Sequence, residues 1–324
     1  MNKKLTLPQT LLITLFCIAM ILAIFDIPGL NILTIGVSAL FVVIATLADN
    51  KGIFLSIVMV ILALVFFINP VYIFDICLNC IIPGIIIGTI TKKVLNYGDE
   101  DNKFEPIFVG TIAFILGLIA NYLISKYLFN INMLDEFTSV IKAQLSTSID
   151  AIQESVSTLT SSTKITEDSV IETILNIMPI ILFSRAIVLA ILTYFLAIFT
   201  LKKIKKIDLK NIKEIKFSRF YLPGNAVLTS FVLYIVIMLL ELFNTPLYTD
   251  LILVNLEMIF YILFLIQGVS VAIFFAKKWI REGQLIKVIL IVIAIVLFGV
   301  MGISILGMVD SIFDFRKVKS CEVI

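Results

Sequence analysis

Long apolar runs alternate with short polar breaks along nearly the whole chain, beginning with "LLITLFCIAMILAIF" at residues 11–25. A helix crosses a hydrocarbon core of about 30 Å in about 20 residues. On that measure nine runs are candidate spans, at 9–25, 30–47, 53–68, 71–90, 106–124, 174–200, 222–244, 249–275 and 287–308. The breaks hold charges or helix-stopping residues: Asp26-Ile-Pro28-Gly29, Asp49-Asn50-Lys51-Gly52, Asn69-Pro70, Thr91-Lys92-Lys93 and Asn244-Thr245-Pro246. Backbone amides in lipid must be satisfied within the segment, so the spans are helices. The pattern predicts an all-α, polytopic integral membrane protein of about nine transmembrane helices. The third run is short enough to be re-entrant, which would change the parity.

One long polar stretch, residues 128–173, interrupts the pattern. Within it Leu134, Phe137, Ile141, Leu145, Ile149, Ile152, Val156 and Leu159 recur every three or four residues, the period of a helical stripe. "STLTSSTK" breaks the stripe, and Thr166 with Glu167 and Asp168 reads as a cap and an acidic first turn. A helical hairpin follows, its second arm running into the sixth span. The hairpin is either a solvated pair packed on the membrane part or a lid and docking surface. The resulting division is 1–127 (helices 1–5), 128–173 (hairpin), 174–200 (helix 6), 201–221 (basic loop), 222–308 (helices 7–9) and 309–324 (tail).

Composition agrees with lipid as the solvent. The 324 residues are 60% hydrophobic and 15% charged, where soluble domains carry about 25% charged residues. The N-terminus is basic and then apolar, like a signal peptide. No small-x-small cleavage site follows, so a retained first helix is expected. Four scattered cysteines suggest no disulfide framework. There is no histidine, which removes Ser-His and Cys-His catalysis, His-ligated metals and imidazole relays.

Net charge is only +2, but the charges are sorted. With the N-terminus inside, 18 of the 25 cations fall in inner segments, eight of them between Leu201 and Arg219. Trp279, beside Lys277 and Lys278, suits an interfacial anchor. The hairpin has seven acids against two lysines, a net of −5, which suits the outer face. The tail fits worst, because nine spans place Arg316, Lys317 and Lys319 outside.

Candidate chemistry comes from polar residues within the spans. Arg185 interrupts "ILFSRAIVLAIL", at a cost of about 2.5–3.5 kcal/mol on insertion scales, so it should face protein or a cavity. Asp75, Asn79, Asn121, Glu241, Asn255, Glu257 and Gln267 are the others. Most fall in the outer half, and Asp75 and Asn79, four apart, share a helix face. The expected ligand-binding set is Arg185, Glu257, Asp75, Asn79 and Asn255, with Arg185 paired to Glu257 or Asp75 in an outward-open pocket. The alternative is a structural pair locking helices.

Other motifs are weaker. Cys77-Leu-Asn-Cys80 has CxxC spacing but no further ligands, and reads as apolar filler. Pro83-Gly84 predicts a kink. Gly299, Gly302 and Gly307 allow close helix contact, as do Ala19 and Ala23 in the first span. "LKKIKKIDLKNIKEIKFSR", net +6, is either an interfacial helix on anionic lipid or ordinary positive-inside flanking. Phosphate-binding loops and nucleophile elbows are missing, and no basic patch interleaves with aromatics, so nucleic acid is not expected.

Two regions carry a resemblance: "FSRFYLPGNAV" at Phe217–Val227, and "QGVSVAIFFAKK" with "LGMVDSIFDFRK" at Gln267–Lys278 and Leu306–Lys317. On these the chain resembles the YybS-like family of uncharacterised membrane proteins of Gram-positive bacteria. In architecture it is also similar to the substrate-capturing component of energy-coupling-factor vitamin transporters. That similarity implies solute capture from outside and docking of the first helix, through Ala19 and Ala23, on a transmembrane energising partner. Three further spans and the hairpin depart from that pattern.

The expectation is a non-catalytic protein of a bacterial plasma membrane that captures a small polar or anionic solute, without cofactor or metal. Its partners would be the bilayer and an energising subunit. The second expectation is a scaffold resembling envelope-assembly and cell-shape proteins, with envelope proteins as partners.

Overall fold

The computed structural model of the chain describes residues 5–27, 30–97, 103–144, 167–204, 215–223, 225–242 and 248–317. Among these, every regular element is a helix. We number them α1 (Leu7–Asp26), α2 (Leu33–Leu47), α3 (Asn50–Val65), α4 (Pro70–Ile76), α5 (Ile82–Tyr97), α6 (Glu105–Leu128), α7 (Glu167–Asn176), α8 (Met178–Lys203), α9 (Ala226–Leu242), α10 (Thr249–Arg281) and α11 (Leu285–Phe313). Five helical stretches are long and apolar enough to cross a membrane: α1, α4–α5, α6, α8 and α10. Residues 133–144 are also helical, and on this arm Leu134 and Phe137 of the stripe are exposed while Ile141 is half-buried. The expected turn at "STLTSSTK" and the cap at Thr166 lie outside the described residues, as does most of the basic loop.

Prolines set many of the boundaries. Pro8, Pro70, Pro106 and Pro179 each sit in the first turn of α1, α4, α6 and α8, where a missing N–H costs nothing. Asn69 caps α4 by accepting the Val71 N–H at 3.1 Å. The hairpin's second arm does not run unbroken into the sixth span. α7 ends at Asn176 and α8 starts at Met178, because Pro179 has no N–H for a carbonyl of the preceding turn.

Cross-helix contacts fix the direction of each helix. Leu5 N–H donates to Leu47 O at 3.0 Å, so α1 starts where α2 ends. Thr14 Oγ1 meets Ser56 Oγ at 2.8 Å, so α1 and α3 run the same way. Ser38 reaches Cys80 O, and Thr46 reaches Gly88 O, so α2 runs with α4–α5. α6 opposes them: a Cβ at Gly117 would strike Leu78 O, and one at Gly110 would lie 2.6 Å from Ile87. α8 opposes α6, with Ala190 beside Gly110 and the Tyr194 hydroxyl donating to Lys103 O at 2.7 Å. Lipid gives helices no hydrophobic reason to associate, so close backbone approach at glycine and alanine holds these pairs. One end of the bundle collects Lys51, Lys92, Lys93, Lys103, Lys202 and Lys203; the opposite is called the far end.

α11 is broken. Gly299 has φ +59° and ψ −153°, a conformation nearly reserved for glycine. Beyond it Ser304 Oγ bonds Tyr261 O, Gly307 lies against Phe264 and Gly268, Asp310 meets Gln267, and Arg316 meets Ser270. Both numbers rise together, so residues 300–316 run with α10 toward the lysine-rich end. The sequence pattern predicts a single continuous span over 287–308. The glycine permits the reversal, and it returns Arg316 and Lys317 to the lysine-rich end.

Candidate functional site

The expected kink at Pro83-Gly84 is a π turn, Cys77–Ile81, joining α4 to α5, in which the Ile82 N–H donates to Cys77 O five residues back. Pro83 has no N–H to give Leu78, five residues before it, and the freed Leu78 carbonyl faces the bare Gly117 of α6. The bulge also leaves Asp75 and Asn79 on the inner side. Asn79 Nδ2 donates to Asp75 Oδ1 at 2.6 Å, and Asn121 Nδ2 of α6 donates to the same oxygen at 2.8 Å. The carboxylate is therefore held on one oxygen by two amides. Asn79, Asn121 and Ser125 are buried, yet Asn79 Oδ1, Asn121 Oδ1 and Ser125 Oγ have no hydrogen-bond partner. Each such atom costs about 1–3 kcal/mol unless a ligand or water completes it.

Asp75 also lines a pocket of about 260 Å³ toward the far end, with Ile21, Phe25, Thr34, Tyr72 and Cys80. Phe25 and Tyr72 close one side edge to face at 5.4 Å. Among the described residues no group of three or more acids and cysteines could hold a metal. Cys77 and Cys80 are free thiols of the π turn.

The other expected site residues are placed elsewhere. Asn255 is buried and donates to Asn176 O at 3.0 Å and Leu251 O at 2.9 Å, tying α10 to the end of α7. Glu257, two residues on and so about 200° round the helix, lines a different groove with α9 and α11. Arg185 is exposed and stands in register with Ile181, Val188, Leu192 and Phe199, the exposed apolar stripe of α8. It lies near enough to Cys80 to act on it electrostatically, as Asp75 does. Among the described residues it forms no hydrogen bond or ion pair, so neither expected pairing is made. Ala19 is exposed on the ridge of Leu12, Leu15 and Phe16, and Ala23 is half-buried.

Sequence reasoning missed the most connected polar group of the described structure. Arg316 Nη2 meets Asp310 Oδ2 at 2.8 Å, with side chains 1% and 2% exposed. Its Nη1 donates to Ser218 O and Ser270 Oγ, and its Nη2 also to Phe220 O. Gln267 donates to Asp310 at 3.0 Å and accepts from the Leu222 N–H and Ser311. Every residue of this cluster comes from the stretches 217–227, 267–278 and 306–317. With its hydrogen bonds mutually satisfied, it offers a ligand little; it is a lock. Gln267, a polar side chain in the middle of the apolar α10, and Asp310, near the end of α11, were the signal.

A bundle of long apolar helices with polar groups gathered inward defines a helical, multi-pass integral membrane protein. The chain belongs to the predicted membrane protein family DUF2232, whose model matches residues 14–311. No curated protein and no solved structure matches the chain.

Proposed function

We propose that the protein captures a small polar solute at the far end of the bundle, in the pocket lined by Asp75. The observation that carries this is the Asp75 carboxylate in the pocket wall, held on one oxygen by Asn79 and Asn121. Both amides donate to one carboxylate oxygen, which leaves the other to accept from a guest. That chemistry suits a solute rich in hydrogen-bond donors, an ammonium or hydroxyl group, better than an anion. Arg185, the expected anchor for an acidic group, is not among the pocket's lining residues.

On this reading the lysine-rich end faces the cytoplasm of a bacterial cell and the acidic segment 128–173 faces outside, as the cation distribution favours. Helices α1 to α10 then make eight crossings and α11 returns to the inner side. A partner chain would supply energy, and the lone guanidinium of Arg185 on the bilayer-facing stripe is where that chain would bring a carboxylate.

The test is thermal unfolding of the purified protein in nanodiscs against a panel of small amines, polyols and carboxylates. Saturating ligand at 100 times Kd stabilises by about 2.7 kcal/mol. Stabilisation by amines or polyols, lost in Asp75→Asn, is expected. Stabilisation only by carboxylates, or none that depends on Asp75, would sink the reading.

A further inference from the structure

A second recess of about 400 Å³ opens between α9, α10 and the returning half of α11. Its walls are apolar and aromatic, Phe231, Phe260, Phe264, Met301 and Met308 among them, and Glu257 is the one carboxylate among the described residues that line it. α9 buries no residue, so this side of the molecule faces the bilayer. Glu257 is exposed, and among the described residues it has no hydrogen bond or ion pair. It lies eight residues inside Thr249, roughly 12 Å from the far end of α10. Phe264 lies one heptad beyond it, about 10 Å deeper.

We infer that this groove seats one acyl chain of a phospholipid from the far-side leaflet, with the primary ammonium of its headgroup on Glu257. The vertical order of the groove matches the order of such a lipid. The carboxylate is nearest the far end, where headgroups lie, and the aromatic and methionine walls run toward the midplane. An unpaired carboxylate against lipid is unfavourable, and the bilayer itself carries the neutralising group within reach. Tyr234 and Tyr261 also line the groove, and their hydroxyls bond to no other described residue, which leaves two donors for the headgroup phosphate. The assignment is independent of the solute pocket at Asp75, which lies across the molecule.

The test is native mass spectrometry of the full chain, reconstituted with equimolar dioleoyl phosphatidylethanolamine, phosphatidylcholine and phosphatidylglycerol. Retained phosphatidylethanolamine should exceed the other two about tenfold, the value of one charge-assisted hydrogen bond. Glu257→Gln should abolish that preference while keeping lipid of all three kinds. Met308→Trp should reduce all three alike; should it fail to fold, Met301→Phe fills the same groove from about two turns away. Equal retention of phosphatidylcholine, a preference for phosphatidylglycerol, or a preference that survives Glu257→Gln would each overturn the assignment. So would retention unchanged in both filling variants, or a wild type that holds no lipid and instead pairs Glu257 with a basic residue of another chain.

Discussion

Arg316 and Asp310 are six residues apart, bonded through both the Nε and Nη2 of the guanidinium, and sealed from solvent. The pair ties three distant parts of the chain together, because the remaining donors reach the 217–220 turn and Ser270 of α10. Removing one partner leaves a bare buried charge, which costs about 3–5 kcal/mol. Arg316→Met and Asp310→Leu should each lower thermal stability in detergent strongly, and the double variant should lose much less than their sum. Strict additivity would mean that the two side chains do not act as a pair.

The crossing of α10 with the end of α11 depends on two missing side chains. A Cβ at Gly268 would strike Ile303 O, and one at Gly307 would strike Phe264 O. Either glycine to alanine should cost about 1–3 kcal/mol through overpacking. At Gly299 nothing lies within 4 Å of a Cβ, so alanine there meets only backbone strain, also about 1–3 kcal/mol. A second change to D-alanine at 299, made by peptide ligation, should recover that loss but would not do so at 268.

The reversal at Gly299 also predicts sidedness. Lys317→Cys, in a background with the native cysteines replaced, should react with a membrane-impermeant maleimide from the same side as a cysteine placed at Lys103. Reaction from the opposite side would mean that α11 completes its crossing.

Asn121→Leu removes one of the two amides on Asp75 together with an unpartnered oxygen. The losses and gains oppose each other, so stability should shift by no more than about 1–2 kcal/mol. The solute response in the nanodisc unfolding assay should weaken far more than the stability does. Equal falls in both would make Asn121 a packing residue.

Much of the helical plan was legible because proline and charge punctuate it. Pro70, Pro106 and Pro179 sit within the first turn of real helices, and the Asp75–Asn79 face follows from spacing alone. Three things were not legible. A π turn has no reliable signature in one sequence, and Pro83 announced only that the helix must depart from regularity. Gly299 sits in an unbroken apolar run, where period gives no hint that the chain turns back. The partners of Arg316 lie 46, 96 and 98 residues away, and no local pattern reports contacts at that range. The Arg185–Glu257 pairing failed for a related reason: depth can be counted along a helix, but the neighbour that a face meets cannot.

The π turn has a consequence for how this protein tolerates change in length. It accommodates one residue more than an α-helical turn would hold, and each residue turns the helix by about 100°. Deleting Leu78 would let regular winding close the gap while leaving nearly every side chain of α4 chemically intact. It would also swing Asp75 about a quarter-turn out of line with Asn121. The Asp75 carboxylate is thus indexed to the rest of the bundle by a single inserted position, and a one-codon deletion would turn it away from Asn121 without altering any residue that lines the pocket.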